Sequence, residues 1–305
     1  MTFYLQIVTA GLATGSVYAL IALGIVLIYK CSGVVNFAQG GYAMLGAYVT
    51  YALTRLGLSP ILALVASVAV MAVTGAATEF LLLRRMLKAP VVAVMMVTLG
   101  LLILFKAFCL AIWGPDQIAF PQLFPVGSVE MGGILVTYNY IAAAALSLLL
   151  SVGFLAFYRY TPMGLMQRCA ADNGRAALAI GIHVSNQVSV AWAMSSALAG
   201  LGGSLLATLN SLSLGLSSIG LVAFPVIVLG GLNSLMGSLV AGLLLGVLEA
   251  VTDGVLTPAL ETYLRSHTAI YSVGALQQVV PYLLVGLMLM VRPQGIFGER
   301  GTERV

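Results

Sequence analysis

Charged side chains are scarce in this sequence: Asp, Glu, Lys and Arg make up 7% of its 305 residues, against about 25% in ordinary soluble domains. Hydrophobic residues make up 61%. The net charge of +4 comes from dispersed basic residues, which are too few to form a surface that follows a phosphate backbone. The composition therefore excludes a soluble domain, predicts no nucleic-acid partner and indicates a protein of the lipid bilayer.

Residues that perform chemistry are also scarce. The two histidines, His183 and His267, belong to neither a His-Glu-x-x-His nor a Gly-x-Ser-Gly motif. None of the three lysines follows a glycine, which excludes the Gly-Lys-Ser/Thr end of a phosphate-binding loop. We therefore expect no catalytic residues, no cofactor and no ATP site on this chain.

Cysteine is rare as well. Cys31, Cys109 and Cys169 fall at unrelated depths, and no pair has the spacing of metal ligands. We expect these residues to be small buried apolar groups or inert thiols, and we expect no metal site.

Long apolar runs are abundant. A bilayer core about 30 Å thick is crossed by roughly 20 residues of helix, because every backbone polar group must be satisfied within the segment. The runs predict an all-α, polytopic membrane bundle of about eight to nine transmembrane helices, in a single domain that covers residues 1–305. The predicted spans are residues 5–29, 34–53, 60–83, 91–113, 139–157, 187–209, 219–232, 235–251 and 272–291.

Basic residues concentrate between particular spans. If the connection that holds Arg84, Arg85 and Lys88 is cytoplasmic, alternation of the spans places most other basic residues on the same side. This predicts a membrane protein with its N-terminus outside and its C-terminus in the cytoplasm. No basic residue precedes the first span, which is too long for a signal peptide, so we expect it in the mature protein. The other basic residues assigned to the cytoplasm are Lys30, Arg159, Arg168, Arg175, Arg292, Arg300 and Arg304, with Arg55 and Arg265 opposite.

Three ionisable residues fall inside predicted spans, namely Glu79, Lys106 and Glu249. A helical rise of about 1.5 Å per residue places Glu79 near the inner end of its helix, where we expect it to face Arg84, Arg85 or the inner interface. Lys106 and Glu249 lie nearer the outer end, and a contact between them through tilt and snorkelling is a hypothesis.

Residues 31–46, CSGVVNFAQGGYAMLG, interrupt the second apolar run with polar residues and glycines. Irregular backbone at membrane depth is tolerated where it is buried in protein or lines a wet cavity. We therefore predict broken or re-entrant helices near residues 33–41 and near residues 219–237. The Gly-Gly-Leu-Asn stretch at 230–233 is similar to the first interruption and hints at an internal repeat.

Small residues recur at helical spacing on two spans. Helices in lipid associate where small residues allow their backbones to approach closely. We expect packing, without direct substrate contact, at Gly11, Gly15, Ser196, Gly200 and Ser204.

The longest outer connection covers residues 114–138. Pro115, Pro121 and Pro125 prevent a regular helix there. The connection either receives a partner or is a solvated connector.

The inner connection, residues 160–186, contains an alanine-rich stretch. Asp172 or Asn173 can cap a short helix there, and Gly181 can end it. A flat face of small residues suits insertion into a groove of another protein, and the alternative is a helix that lies at the membrane interface.

Four stretches are specific when taken together: GSVYALIALG at 15–24, GVVNFAQG at 33–40 with MLGAY at 44–48, the inner segment 161–181, and VLGGLNS at 228–234 running into Gly237. In these stretches, and along nearly the whole chain, the sequence resembles the membrane permease subunits of the ATP-binding-cassette (ABC) importers for branched-chain amino acids. The inner segment also resembles the Glu-Ala-Ala-x-x-x-Gly docking signature of such permeases. Arg175 stands in place of the signature's Glu, and its downstream Ile-x-Leu-Pro is absent.

The resemblance implies a transport subunit of the bacterial inner membrane that is not itself an enzyme. Its implied partners are two cytoplasmic ATP-binding subunits, a second homologous permease in a homo- or heterodimer, and an extracytoplasmic solute-binding protein. The resemblance implies ATPase docking on residues of the inner segment: Ala170, Ala171, Asp172, Arg175, Ala176, Ala177 and Gly181.

The implied cargo is a branched-chain or other hydrophobic amino acid. A free amino acid is a zwitterion, for which neutral amides, hydroxyls and helix ends make a suitable path. The candidates for that path are Asn36, Gln39, Tyr42, Ser217, Ser218 and Asn233. For each of them the alternative is a hydrogen bond between helices, worth less than about 1–2 kcal/mol.

Three other functions remain open. The chain could be a permease of the same family that carries urea or short amides, or a secondary carrier that works alone. A membrane-embedded structural or enzyme subunit is the third, although the sequence lacks the clustered His, Cys, Asp and Glu that catalysis requires.

Overall fold

The computed structural model describes residues 2–86, 89–131, 134–267, 276–292 and 294–298. These residues form an almost entirely helical bundle, as the apolar runs predict. Its helices are α1 (Thr2–Ser32), α2 (Gln39–Arg55), α3 (Pro60–Leu81), α4 (Val91–Trp113), α5 (Tyr138–Tyr160), α6 (Pro162–Asp172), α7 (Gly174–Ala179), α8 (Val184–Leu209), α9 (Ile219–Gly230), α10 (Leu235–Val251), α11 (Thr257–His267) and α12 (Leu276–Val291).

Six stretches, containing α1, α3, α4, α5, α8 and α10, are helical, long and apolar enough to cross a membrane. This confirms a polytopic helical membrane protein. The predicted spans 34–53, 219–232 and 272–291 correspond to the shorter helices α2, α9 and α12. The first of these begins at Gln39 because residues 33–38 are not helical. Residues 268–275, where the last predicted span begins, lie outside the described residues.

The two ends of the bundle differ in charge. One end, which we call the basic end, carries Lys30, Arg84, Arg159 and Arg175 at or between helix termini. The opposite end, which we call the hairpin end, carries the C-termini of α2, α4 and α8 and a two-stranded antiparallel sheet. Its strands are β1 (Ser128–Met131) and β2 (Ile134–Thr137), with Ser128 paired to Thr137.

Helix α1 is the most deeply buried element, and residues 19–28 of its second half are all buried. It packs against α10, α8 and α5, while α8 packs in turn against α2 and α3. Apolar side chains of α3 and α4, including Val73 and Ile103, are more than two-thirds exposed. Such faces suit contact with lipid or with a partner helix, whereas α1 is enclosed by protein.

Glycine positions allow the closest of these approaches. The predicted packing residues Gly11 and Gly15 lie where α1 meets α10, and a Cβ on Gly15 would be 2.6 Å from the carbonyl oxygen of Gly242. Gly200 of α8 faces Gly46 of α2, whose Cβ would be 2.2 Å from the Gly200 Cα. Backbones approach this closely only where side chains are absent.

Two serines that were also expected to pack helices form hydrogen bonds on α8. Ser196 donates to the carbonyl oxygen of Met71 on α3 at 2.7 Å. The Ser204 hydroxyl lies 2.9 Å from that of Thr50 on α2. Hydroxyls therefore supplement the glycine contacts at the interfaces of α8.

The chain after α12 folds back against α9. The backbone N–H of Ile296 donates to the Leu229 carbonyl at 2.8 Å, and that of Phe297 donates to the Gly230 carbonyl at 3.2 Å. Gly231, with φ of +99°, turns the chain at the same point. Residues 294–298 therefore form a clasp on the end of α9, satisfying carbonyls that a helix terminus leaves free.

Candidate functional site

The first break in the bundle separates α1 from α2. The Asn36 side-chain oxygen accepts the backbone N–H of Ala38 at 3.0 Å, and its amide donates to Gln39 Oε1 at 3.2 Å. The Gln39 amide donates to the carbonyls of Ile21 at 3.3 Å and Ser195 at 3.2 Å. These two path candidates thus join α1, α2 and α8 through a buried network and line neither of the two cavities described below.

The second break precedes α9. Residues 210–218 run inward from the hairpin end and finish in a 3-10 turn, Leu214–Ser218. A Cβ on Gly40 would lie 2.1 Å from the Ser217 carbonyl oxygen and 2.7 Å from the Gly220 nitrogen. The first turns of α2 and α9 therefore touch inside the bundle.

These two short helices run in opposite directions. α2 leads from the contact to the hairpin end, and α9 leads from it to the basic end. Each helix N-terminus carries a partial positive charge from its aligned peptide dipoles. Residues 33–38 and 210–218 thus each precede a short helix that begins inside the bundle. Residues 231–234, the stretch similar to the first interruption, form a tight turn at the basic end.

A cavity of about 440 Å³ opens beside the start of α9. We call it the hairpin-end cavity. Its walls come from α1, α9, α10 and the 210–218 segment, and its polar lining is unusual in so apolar a bundle. The polar lining residues are Thr14, Tyr18, Gln117, Tyr140, Asn210, Ser211, Ser213, Ser218, Glu249 and Asp253.

The six path candidates differ in their surroundings. Ser218 lines the hairpin-end cavity, and Ser217 beside it donates to the Leu214 carbonyl at 2.7 Å. Tyr42 is buried, with its ring against Phe105, and Asn233 is exposed in the turn at the basic end. Sequence reasoning missed Glu249 and Asp253 as cavity residues, although their carboxylates in an apolar stretch were a usable signal.

A smaller cavity of about 170 Å³ lies near the basic end, between α3, α4 and α8. Glu79, Trp192 and Ser32 are among its lining residues. It is mostly apolar, so it offers few groups to hold a polar solute.

The inner connection forms two helices instead of one. Asn173 separates α6 from α7, and its side-chain oxygen accepts the backbone N–H groups of Arg175 and Ala176, each at 3.1 Å. Gly181 follows α7 with φ of +85°, a conformation that favours glycine. The predicted cap and stop are both confirmed.

The docking candidates on this connection differ in exposure. Asp172, Arg175, Ala176 and Gly181 are exposed and Ala171 is half-buried, whereas Ala170 and Ala177 are buried. The most prominent apolar groups are ones that the sequence analysis missed: Leu165, Leu178 and Ile180 are 53%, 56% and 71% exposed. These exposed apolar groups, on α6, on α7 and directly after α7, suit contact with another protein or with the membrane interface.

Glu79 forms hydrogen bonds with Arg84 and Ser189 at the basic end. Arg84 was one of the contacts predicted for Glu79. Its carboxylate accepts hydrogen bonds from the Arg84 guanidinium at 3.4 Å and from the Ser189 hydroxyl on α8. Arg84 also donates to the Ser189 hydroxyl at 2.8 Å. The cluster joins the end of α3 to α8 at the basic end.

We expect unequal effects from removing the two charges of this pair. The Glu79 side chain is 1% exposed and that of Arg84 is 32% exposed. Arg84→Ala strands a buried carboxylate and should cost about 3 kcal/mol, whereas Glu79→Gln leaves an arginine that water can reach and should cost about 1 kcal/mol. Thermal unfolding in lipid nanodiscs measures both, and equal losses would contradict this asymmetry.

Lys106 and Glu249 do not pair. Lys106 is exposed on α4, while Glu249 lines the hairpin-end cavity from α10. Glu79, in contrast, forms an ion pair with Arg84 at the basic end. The hypothesis was wrong because spacing along the sequence gave the depth of each residue but not the face of the bundle it occupies.

Sequence comparison decides the class of protein. The pattern of a family described as "Branched-chain amino acid transport system / permease component" matches residues 7–291. The chain belongs to this family of ABC permeases. The resemblance found in the sequence is thereby confirmed, and the chain is a multi-pass membrane permease component of a transport system.

Individual permeases match along almost their whole length. The high-affinity branched-chain amino acid transport system permease protein LivH of Salmonella typhimurium is 28% identical over 99% of this chain and 98% of its own. BraD of Pseudomonas aeruginosa, with the same description, shows the same identity and coverage. A probable branched-chain amino acid transport permease of Methanocaldococcus jannaschii is 27% identical over 96% of this chain. No solved structure matches.

Proposed function

We propose that this permease forms one half of the pore of an ABC importer that carries branched-chain amino acids across a bacterial inner membrane. The observation that carries the proposal is the end-to-end similarity to permeases whose names state that cargo. The second half would be a homologous permease or a second copy. A solute-binding protein would deliver the amino acid, and two ATP-binding subunits would supply the energy.

The proposed orientation follows from charge. Lys30, Arg84, Arg85, Arg159 and Arg175 lie at the basic end, and cytoplasmic segments of membrane proteins are rich in Lys and Arg. The basic end would therefore face the cytoplasm, with the N-terminus outside and the C-terminus inside. The hairpin-end cavity would then open toward the solute-binding protein.

Docking would use the α6–α7 connection at the basic end. Closure of the ATP-binding subunits would push on this connection, and the buried cluster around Glu79 would pass the motion to α3 and α8. The bundle, one domain throughout, would then alternate between inward and outward access by rigid-body movement.

Reconstitution tests this function. Proteoliposomes that contain the permease, its partner permease and the ATP-binding subunits should accumulate leucine at least tenfold when ATP and the solute-binding protein are supplied. The same vesicles should not accumulate urea or acetamide. Matched vesicles with an ATP analogue that resists hydrolysis are the control.

Two outcomes would contradict the proposal. Uphill leucine uptake by the permease alone, without ATP, would identify a secondary carrier. Preferential uptake of short amides by the complete complex would identify the alternative cargo of the same family.

A further inference from the structure

The hairpin-end cavity combines three features that are rare within a membrane bundle. Its volume of about 440 Å³ lies within the range of about 300–1,000 Å³ that is typical of small-molecule sites. It is lined by two carboxylates, and one wall is the N-terminus of a short helix. The carboxylates favour the ammonium group of an amino acid, the helix N-terminus favours its carboxylate, and the volume suits the whole molecule.

Glu249 is the central group. It is half-buried on α10, and it lines the cavity together with the buried Tyr18 of α1. Within the described part of the chain it forms no ion pair. Ionisable side chains inside membrane proteins are costly and typically mark the route of a solute or ion, so this carboxylate is available to bind a cation.

Asp253 lies one turn further along the same wall. It belongs to the π-helical turn Thr252–Leu256 that follows α10, and it is an exposed residue of the cavity lining. π-helical turns occur frequently at functional sites. Together the two side chains place carboxylates of different exposure on this wall of the cavity.

The start of α9, in contrast, favours a negatively charged group. Ser218 and Ile219, at the N-terminus of this helix, line the same cavity. A half-helix N-terminus within a membrane favours an anionic group such as a substrate carboxylate. The neighbouring Ser213 and Asn210 supply further hydrogen-bonding groups.

We propose that the hairpin-end cavity is the first binding site for the amino acid within the permease, with the ammonium group at Glu249 and the α-carboxylate at the start of α9. This site rests on the proposed function and narrows its cargo to compounds that carry both charges. Urea and short amides, which lack an ammonium group, could donate neutral hydrogen bonds to Glu249 but would gain no attraction between opposite charges. The aliphatic side chain would lie against Leu216, Ile219 and Val222, which also line the cavity.

Charge-selective labelling tests the cavity without relying on transport. Cys31, Cys109 and Cys169, which are free thiols, are replaced by alanine, and Ser218→Cys is introduced. A cationic methanethiosulfonate reagent applied from outside should label this position at least tenfold faster than an anionic one. Glu249→Gln should lower that ratio at least threefold. Val126→Cys, outside the cavity lining, is the matched control and should respond equally with and without Glu249→Gln.

Ligand protection and transport complete the test. Leucine at millimolar concentration should slow labelling of Ser218→Cys, and 4-methylpentanoate, which lacks the ammonium group, should not. In the reconstituted complex Glu249→Gln should reduce the kcat of leucine transport at least tenfold, whereas Glu130→Gln at the hairpin should not change it.

The outcomes are distinguishable. If the wild-type complex fails to transport leucine, the proposed function fails, and the labelling ratio still decides the charge of the cavity. If the wild type transports leucine while Glu249→Gln leaves the labelling ratio, protection and kcat unchanged, the site proposed here is overturned and the function stands.

Discussion

Replacing Leu178 and Ile180 together with aspartate is expected to abolish both ATP-driven transport and association with the ATP-binding subunits. Both side chains project from the α6–α7 connection, where they are 56% and 71% exposed. Buried apolar anchors at an interface are worth about 2 kcal/mol each, so losing both should weaken association roughly a thousandfold. Co-purification from detergent and ATP-dependent leucine uptake measure the two effects.

The control for this experiment lies at the other end of the molecule. Val126 is 77% exposed near the hairpin, and Val126→Asp should leave association intact. Arginine substitutions at Ala177 and Gly181 are less informative, because Ala177 is 2% exposed and Gly181 has φ of +85°. Retained association in the double aspartate variant would contradict docking through this surface.

Gly40→Ala, which adds a single methyl group, is expected to destabilise the permease and to reduce its transport activity. The new Cβ would lie 2.1 Å from the Ser217 carbonyl oxygen, well inside van der Waals contact, so α2 and α9 must move apart. Overpacking of this kind costs about 1–3 kcal/mol. Because the contact joins both broken helices, we expect leucine transport to fall more than tenfold.

Gly100→Ala provides the matched control on α4. A Cβ at Gly100 meets no atom within 4 Å, and alanine favours a helix over glycine by about 1 kcal/mol. Thermal unfolding should therefore show destabilisation at Gly40 and slight stabilisation at Gly100. Equal, unimpaired transport in both variants would show that the contact between the two helix starts is not required.

Local sequence signals predicted the features that depend on neighbouring residues. The apolar runs predicted the long helices because length and hydropathy alone decide whether a helix can span lipid. The break near residue 33 followed from its glycines and amides, and Asn173 was one of two predicted caps. Each of these features is determined within a few residues of chain.

Local sequence patterns did not predict contacts between residues that are far apart in the sequence. Gln39 carries the polarity of a path residue, but its amide bonds to a carbonyl of Ser195, 156 positions later. The cavity lining runs from Ala10 to Asp253, so no short pattern contains it. Lys106 and Glu249 failed to pair for the same reason, since helix depth does not determine which helices are neighbours.

The β-hairpin was not predicted, although its sequence signal is local. The three prolines predict irregular structure over residues 114–138, but the final part of that connection forms β1 and β2. The sequence SVEMGGILVT places a Gly-Gly pair between two short strand-forming runs, which is a recognised hairpin signal. The two strands therefore follow from a pattern contained within residues 128–137.

The clasp of residues 294–298 on α9 ties the far end of the polypeptide to one of its two discontinuous helices. Any displacement of that helix during a transport cycle must drag Ile296 and Phe297 along, because their N–H groups are bonded to its last carbonyls. A fluorophore attached to residues 294–298 would therefore report any movement of α9 through a site that is not itself part of that helix.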